Sequence, residues 1–266
     1  VYVPRPLKTL AIWTGLQRLP PEVKFVMHVD DDTVLSEDMV LDESWFADPR
    51  VSEVAFPIYT RRVNLLTSCV GLFFKSNAHH GFFHNCTSGT SLWAAGIIGL
   101  VRREVLTGVL ADHVYLPFGE DAFHGLLQLM NGYRIKRELR THVTTYAPPV
   151  LTNLCASSVR EQGYGASTLF KQRARRWTVT KLRRMLWTAS LLVCYNGGTV
   201  WHNVWFRLAY FHQMLDVTLS VYVLPLLLLR LAYDFVTHSS PFWMLVLLAI
   251  VFASSYAFEL FNMLVL

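Results

Sequence analysis

Three consecutive carboxylates, Asp30 to Asp32, follow an apolar run in the stretch KFVMHVDDDTV. Because like charges repel, such a cluster is normally stabilised by a cation, by hydrogen-bond donors or by solvent. Asp30 and Asp32 lie two positions apart, and carboxylate oxygens are the ligands that Mg²⁺ and Mn²⁺ prefer, alongside water and substrate phosphates. The triplet therefore predicts a metal and phosphate site, with a solvated loop or a helix cap as the alternative.

A second acidic pair, Glu120 and Asp121, precedes the stretch AFHGLLQLMNGYRI. Its apolar spacing predicts an amphipathic helix that ends at Asn131-Gly132. The free N–H groups and the dipole of a helix amino end stabilise a negative charge, and an ionised carboxylate can accept a proton as a general base. The pair is therefore a candidate catalytic group, with simple capping of the helix as the alternative.

The third stretch, KQRARRW, begins a basic segment that spans residues 168–193. Bulky apolar and Trp side chains alternate there with Lys and Arg, which predicts a helix in a membrane interface, a nucleic-acid-binding arm being the alternative. Residues 214–236 and 241–266 are two apolar runs that each exceed the ~20 residues needed to cross a bilayer. The linker between them has no Lys or Arg, so the positive-inside rule predicts a cytoplasmic globular part.

Short apolar strands alternate with helical patterns before residue 150. We expect a helix within residues 4–21, strands in VKFVMHV, SEVAFPIY and LRTHVTTYAP, and a strand followed by a helix in SLWAAGIIGLVRREVL. This alternation predicts an α/β sheet, with the aspartates in a loop at the carboxyl end of a buried strand. His79, His80 and His84 have no carboxylate or Cys partner at metal-ligand spacing and predict a polar loop.

The composition agrees with a globular part joined to membrane segments. Hydrophobic residues make up 53% of the chain and charged residues only 16%, and the mean hydropathy is +0.32. The net charge of +5 indicates an anionic partner, either a phosphate-bearing substrate or an acidic lipid surface. The four Cys residues form no CxxC pair, so reduced structural thiols are expected.

The acidic triplet, Gly119-Glu120-Asp121 and KQRARRW, in this order before a basic helix and apolar spans, resemble the membrane-embedded family 2 glycosyltransferases, the group that contains cellulose, chitin and hyaluronan synthases. The resemblance extends from Lys8 to the C-terminus and implies a partial GT-A, Rossmann-like fold. Residues 1–165 would form the C-terminal part of that domain, residues 166–204 an interfacial region, and residues 205–266 at least two transmembrane helices. The uridine-binding part would lie upstream of Val1, so the fragment alone is expected to be inactive.

In that family a D-x-D element binds metal and nucleotide diphosphate, a [TG]-[ED]-D element supplies the base, and Q-x-x-R-W closes the donor site. The resemblance implies that Asp30 and Asp32 bind the metal and the diphosphate, and that Asp121, beside Glu120, is the base. Lys8 resembles a lysine that contacts the diphosphate, with a solvated surface lysine as the alternative. The residues that would close the donor site are Arg176, Trp177 and one of Gln172 and Arg173.

The third motif departs from the family spacing, because counting back from Trp177 puts Arg173 in the Gln place and Gln172 one residue too early. On a helix this offset turns a side chain by ~100°, which leaves open which of the two faces the diphosphate. Trp177 could stack on an acceptor sugar or anchor the interface. The stretch GTSLWAAGIIGLVRRE resembles an acceptor-lining segment whose small residues admit sugar, with tight packing as the alternative; these residues are Gly89, Ala94, Ala95 and Gly96.

The resemblance implies an inverting, Mg²⁺- or Mn²⁺-dependent enzyme that moves a sugar from a UDP-sugar to a growing polysaccharide at the plasma membrane. A non-processive enzyme that glycosylates a lipid such as ceramide is the nearest alternative. Two others come from different classes: a haloacid-dehalogenase-like phosphatase with Asp30 as its nucleophile, and a non-catalytic membrane scaffold. A nucleic-acid partner is not expected.

Overall fold

The computed structural model describes residues 8–94, 96–113, 119–150, 168, 179–219, 224–237, 242–243, 245–247 and 249–250. Seven short strands lie within the described residues up to position 150. They are β1 Phe25–Val29, β2 Thr33–Leu35, β3 Val51–Ala55, β4 Ile58–Thr60, β5 Ile98–Arg102, β6 Arg134–Arg137 and β7 Val143–Thr145. A 3₁₀ turn, Glu43–Phe46, precedes β3.

Helices separate these strands and dominate the rest of the described chain. They are α1 Lys8–Leu16, α2 Leu65–Ser88, α3 Arg103–Ala111, α4 Glu120–Met130, α5 Val179–Trp187, α6 Leu191–Cys194, α7 Val200–Thr218 and α8 Leu224–Val236. The predicted mixture of strands and helices is confirmed.

A four-stranded sheet in the order β1-β5-β3-β6 forms the centre of the fold. Strands β1, β3 and β6 run parallel to one another, because β5 is antiparallel to both β1 and β3. A smaller sheet has the order β2-β7-β4. The carboxyl ends of β1, β3 and β6 therefore meet at one edge of the central sheet, where α/β folds commonly place their ligands.

The strand predicted in SEVAFPIY differs from the structure. The chain forms β3 in the central sheet and then β4 in the smaller one, with Phe56-Pro57 between them. Pro57 has no N–H to donate to a ladder, so a strand cannot continue through it in the middle of a sheet. The break moves the second half of the segment into another sheet.

The polar loop predicted at His79, His80 and His84 is wrong, because all three lie in the 24-residue helix α2. Asn64 and Thr67 form a reciprocal capping box at its start, and Gly89 ends it in the left-handed conformation. Within the described part of the chain, no group of three His, Cys, Asp or Glu side chains could hold a metal ion.

Buried apolar side chains lie on both faces of the central sheet. On one face α4, α5 and α7 pack together around Leu126, Met185 and Tyr210. The opposite cluster includes Phe56 and Ile98. Burial of this kind contributes roughly 25 cal/mol per Å² of apolar surface and fixes α4 against the sheet.

Among the helices that the structure describes, none has the length and the apolar character needed to cross a membrane. The first predicted span covers the end of α7, residues 220–223 outside the described chain, and α8. Residues 251–266 of the second predicted span also lie outside it.

Candidate active site

Asp30 immediately follows β1 and lies at the carboxyl edge of the central sheet. Its backbone N–H donates to the carbonyl oxygen of Ile97 at 2.9 Å, and its carbonyl oxygen accepts from the N–H of Thr33 at 3.1 Å. These two bonds turn the chain after the strand and hold Asp30 beside the segment that leads into β5. The predicted position of the aspartates after a strand is confirmed.

Lys8, the first residue of α1, reaches this edge from another element. Its ammonium donates to the Asp30 carboxylate and to the carbonyl oxygen of Gly96, and its side chain is 26% exposed. Lys8 is therefore paired and half-buried, and it is not the solvated surface lysine that the sequence left open.

Asp121 lies in the first turn of α4, as predicted, and its carboxylate rests against Gly96. A Cβ atom added to Gly96 would overlap the Asp121 carboxylate. Asp121 is also close enough to Asp30 for its charge to affect the pKa of that group. Lys8, Asp30, Gly96 and Asp121 therefore meet at one place, although they come from four different parts of the chain.

Asp32 points toward the smaller sheet, where the hydroxyl of Thr145 lies 3.4 Å from its carboxylate as a donor. Burial raises the pKa of Asp32, and the charges of Asp30 and Asp31 raise it further. Burial also raises the pKa of Asp30; Lys8 opposes this effect, while Asp121 and Asp31 add to it. Among the residues that the structure describes, Asp30, Asp32 and Asp121 outnumber the nearby cations Lys8 and Arg184, which favours binding of an additional cation.

Glu120 opens α4 directly after Gly119, whose φ of 72° is a left-handed conformation that favours glycine. The carbonyl oxygen of Glu120 is 2.9 Å from Nε2 of His113. A side chain at Gly119 would also overlap the guanidinium of Arg184. Two separate constraints therefore require glycine before the acidic pair.

Arg184 on α5 lies beside the acidic pair, a position that the sequence pattern does not predict. It is only 4% exposed, and burial lowers the pKa of its guanidinium while the charges of Asp121 and Glu120 oppose that shift. A basic helix was predicted here, but its periodicity alone does not say which arginine faces α4. The structure places Arg184 at the acidic pair, whereas Arg183 beside it is exposed and lies over the ring of Trp187.

The residues predicted to close the donor site lie outside the described chain; they are Gln172, Arg173, Arg176 and Trp177. Their roles stay predictions. Among the small residues expected near an acceptor, Gly89 is the cap of α2, Ala94 packs where Gly125 approaches its backbone, and Gly96 makes room for Asp121. Ala95 is outside the described residues. For the three described positions, tight packing is the better explanation.

A set of polar side chains behind the carboxylates was also not predicted to belong to the site. His28, Glu53, His124 and Gln128 lie under the site, and Glu53 has no exposed surface. Two signals were present in the sequence. Glu53 lies within an apolar strand, where a carboxylate is usually found only if it has a partner. Asp121, His124 and Gln128 share one face of a predicted helix.

No curated protein matches this chain. Among solved structures, it is similar to a mannosyltransferase from Pyrobaculum calidifontis in complex with GDP-Man and Mn²⁺. The two are 14% identical with a TM-score of 0.48, and the alignment covers 98% of this chain and 66% of the mannosyltransferase. The present chain thus spans about two thirds of that protein's length.

A family model described as "Glycosyl transferase family group 2" matches residues 25–266. The match includes the acidic triplet, Glu120-Asp121 and the KQRARRW stretch. It is a match to the broad family and does not single out the cellulose, chitin or hyaluronan synthases. The chain, with its mixed α/β fold, belongs to the family 2 glycosyltransferases.

Proposed function

We propose that this glycosyltransferase moves a sugar from a UDP-sugar to a growing polysaccharide, with inversion at the anomeric carbon. The observation that carries the proposal is the meeting of Asp30 and Asp121 across Gly96 and Lys8. Sugar transfer from a nucleotide donor needs positive charge at the leaving diphosphate and a base at the acceptor hydroxyl, close together. Membership of this family argues against the phosphatase and the non-catalytic scaffold.

The residues at the edge of the sheet suit a divalent cation. Asp30 and Asp32 are partly buried carboxylates whose pKa values are raised by burial and by neighbouring negative charges. Mg²⁺ or Mn²⁺ often takes one or two carboxylates and completes its shell with water and substrate phosphates, so two aspartates are a sufficient protein set. A bound cation would stabilise the negative charge of the departing diphosphate. Asp30 and Asp32 would hold it.

The side chains of the chain itself would carry out the remaining steps. Asp121 would accept the proton of the acceptor hydroxyl while that oxygen forms a bond to the anomeric carbon and the bond to the diphosphate breaks. One direct displacement of this kind inverts the anomeric configuration. Lys8 would orient the Asp30 carboxylate, and its ammonium would add positive charge beside the diphosphate. The Arg184 guanidinium would stabilise the charge of the acidic pair.

The acceptor and the cellular location are also part of the proposal. A stripe of exposed apolar side chains follows one face of α7 at spacings of three and four residues: Trp201, Val204, Leu208, Phe211 and Leu215. The exposed pair Arg183 and Trp187 lies on α5. Such a surface suits an enzyme at the cytoplasmic side of the plasma membrane. Because a bilayer would also supply a lipid acceptor, a ceramide-type glycosyltransferase is the second candidate.

The test uses the intact protein in membranes, with Mn²⁺ or Mg²⁺ and a panel of UDP-sugars. The product is identified as polymer or glycolipid, and the wild type is compared with Asp121→Asn. Removal of a general base typically lowers the rate by about 10²- to 10⁴-fold, so the variant should show a loss of that size. Asp112→Asn is the matched control, because Asp112 is an exposed aspartate at the end of α3.

Equal product yield from wild type and Asp121→Asn would overturn the proposed mechanism. Product that forms at the same rate after chelation of divalent cations would overturn the proposed metal dependence. Labelled sugar found only in the lipid extract would replace the polysaccharide acceptor by a lipid.

A further inference from the structure

Four polar side chains form a cluster directly behind the catalytic edge, which we name the inner polar cluster: His28 on β1, Glu53 on β3, and His124 and Gln128 on α4. The side-chain amide of Gln128 donates to Oε2 of Glu53, and Nδ1 of His124 lies 3.8 Å from the same oxygen. The rings of His28 and His124 meet edge to face, with centroids 6.4 Å apart. The cluster therefore joins three separate elements of the fold.

The buried carboxylate of Glu53 would be costly without these partners, because an ionised group in the protein interior loses its hydration. Its amide donor is itself held in place, since Ser52 donates its hydroxyl proton to the side-chain oxygen of Gln128. Arg137 on β6 is buried and interacts with the charge of Glu53. Glu53 therefore belongs to a buried network of charges and hydrogen bonds that ties β3, β6 and α4 together.

The cluster shares its elements with the two proposed catalytic carboxylates. Asp121, His124 and Gln128 are spaced three and four residues apart and lie on one face of α4. A bond between Gln128 and the sheet therefore fixes the rotation of α4 about its axis, and with it the direction of Asp121. His28 lies on β1 two residues before Asp30, whose backbone N–H extends the pairing of β1 with the β5 side by one bond to Ile97.

Gly99 on β5 leaves space between the side chains of His28 and Glu53. A Cβ atom at this position would lie 2.6 Å from Nε2 of His28 and 2.8 Å from Oε1 of Glu53. Real Cβ atoms do not approach polar atoms this closely, so any side chain at position 99 would displace the histidine, the glutamate or both. The glycine thus serves the inner polar cluster directly.

We propose that the bond between Glu53 and Gln128 is a positioning device that sets the place of Asp121 relative to Asp30. The inference rests on the proposed role of Asp121 as the base. Glu53 and Gln128 have no exposed surface that a substrate could reach, so they are positioning residues and act through α4. A misplacement of about 1 Å in a reacting group can lower a rate by about 100-fold, which makes a precise anchor worthwhile.

The test exchanges the two partners. Gln128→Glu alone puts a second carboxylate against Glu53, and the repulsion should turn α4 and lower kcat by about 100-fold. The double variant E53Q/Q128E restores an amide donor and a carboxylate acceptor with their places reversed, and it should recover most of the lost kcat. Gln17→Glu, at an exposed position beyond α1, is the matched control and should behave like the wild type.

Three quantities are measured on each variant: kcat per folded molecule, the KM for the UDP-sugar, and the thermal midpoint. Positioning predicts a lower kcat with a nearly unchanged donor KM, because the Asp30 side of the site stays in place. A purely structural role predicts a lower midpoint with wild-type kcat per folded molecule, and that result would overturn the inference. Failure of the exchange to restore kcat in a folded double variant would overturn it as well.

A second pair of variants decides the matter if Gln128→Glu does not fold. Gly99→Ala should lower kcat by about tenfold or more, whereas Gly108→Ala, where no atom lies within 4 Å of the added Cβ, should not. Wild-type kcat in Gly99→Ala would then overturn the inference. The proposed function is tested separately. Full activity of Asp121→Asn would show that Asp121 is not the base, and the inner polar cluster would then have no catalytic carboxylate to position.

Discussion

The two edges of the central sheet each carry a cluster of charged side chains, and the clusters differ in their charge balance. At the amino end of β3 and β6, Asp48 pairs with Arg50 at 3.3 Å and with Arg134 at 3.5 Å. Burial acts to raise the pKa of Asp48, but hydrogen bonds from Arg50 and the charges of both arginines outweigh it and lower that pKa. At the carboxyl edge the pKa values of Asp30 and Asp32 are raised instead.

The difference distinguishes a structural ion pair at the amino edge from the proposed active site at the carboxyl edge. The aspartate at the amino edge has its counter-charges supplied by the protein, so nothing further is needed there. At the carboxyl edge the described carboxylates outnumber the described cations, which is the electrostatic condition expected where a metal or substrate completes the site. A cavity of about 300 Å³ opens beside Asp48 and Arg134, at the edge opposite the proposed active site, so a cavity alone does not identify that site.

The largest predicted difference in rate comes from replacing one aspartate by asparagine at each edge in turn. Asp30→Asn should lower sugar transfer by about 100-fold or more, because it removes a proposed metal ligand and the partner of Lys8. Asp48→Asn should leave the rate within about twofold and lower the free energy of unfolding by up to about 1 kcal/mol, the usual range for a partly exposed ion pair. Rates and thermal midpoints of the purified variants give both answers. Equal losses of activity would show that the distinction between the edges is false.

Gly96→Ala should have the next largest effect, because the added Cβ would overlap the Asp121 carboxylate and move it away from Asp30. We expect kcat to fall by about 10- to 100-fold. Gly15→Ala is the matched control, since no atom lies within 4 Å of a Cβ at that position. Steady-state kinetics of the two variants check the prediction, and a Gly96→Ala enzyme with normal kcat would mean that Asp121 need not lie where the structure has it.

Neighbouring arginines on α5 allow a finer comparison. Arg184 is buried at the acidic pair, whereas Arg183 is exposed on the same helix. Arg184→Ala should lower kcat by about tenfold, and Arg184→Lys should retain part of the rate because it keeps the positive charge. Arg183→Ala should stay near the wild type. If the two alanine variants lost activity equally, the effect would come from the helix and not from the charge beside Asp121.

The sequence was sufficient to predict the elements that have strong local signals. An apolar β-rich run ending in aspartates predicted β1 and the place of Asp30, and Asn131-Gly132 predicted the end of α4, where Gly132 has a φ of 79°. The proximity of Asp30 and Asp121 was expected only through resemblance to a family. The pattern of residues alone does not show that a loop after β1 and the first turn of α4 lie close together.

The failures have physical causes that lie in tertiary packing. Helix α2 was missed because its glycines and histidines obscure the periodicity, while its capping box is a signal of only four residues. The choice of Arg184 over Arg183 depends on how α5 turns against α4, which the local sequence does not encode. The burial of Glu53 is explained by its hydrogen bond from Gln128, a distant residue that no local pattern pairs with it.

The smallest predicted effect concerns the thermal midpoint of the metal-free protein, and it distinguishes Asp32 from a control aspartate, Asp42, whose pKa shifts in the opposite direction. Burial and the charges of Asp30 and Asp31 raise the pKa of Asp32 above its unfolded value, so the folded state binds more protons than the unfolded state. Stability should therefore fall as pH rises through the raised pKa. Asp32→Asn removes this charge and should raise the thermal midpoint at neutral pH without metal, with a gain that shrinks as the pH approaches 4.

The control for this effect has the opposite sign. Hydrogen bonds from Ser44 lower the pKa of Asp42, so its ionised form stabilises the fold at neutral pH, and Asp42→Asn should not raise the midpoint. Mn²⁺ should then stabilise the wild type more than Asp32→Asn, because a cation that binds the folded state adds stability in proportion to its affinity. Thermal denaturation of the three proteins across pH, with and without Mn²⁺, measures both terms. A midpoint for Asp32→Asn below the wild type at every pH would mean that Asp32 is already balanced by the protein, as Asp48 is, and that the surplus charge lies on Asp30 and Asp121 alone.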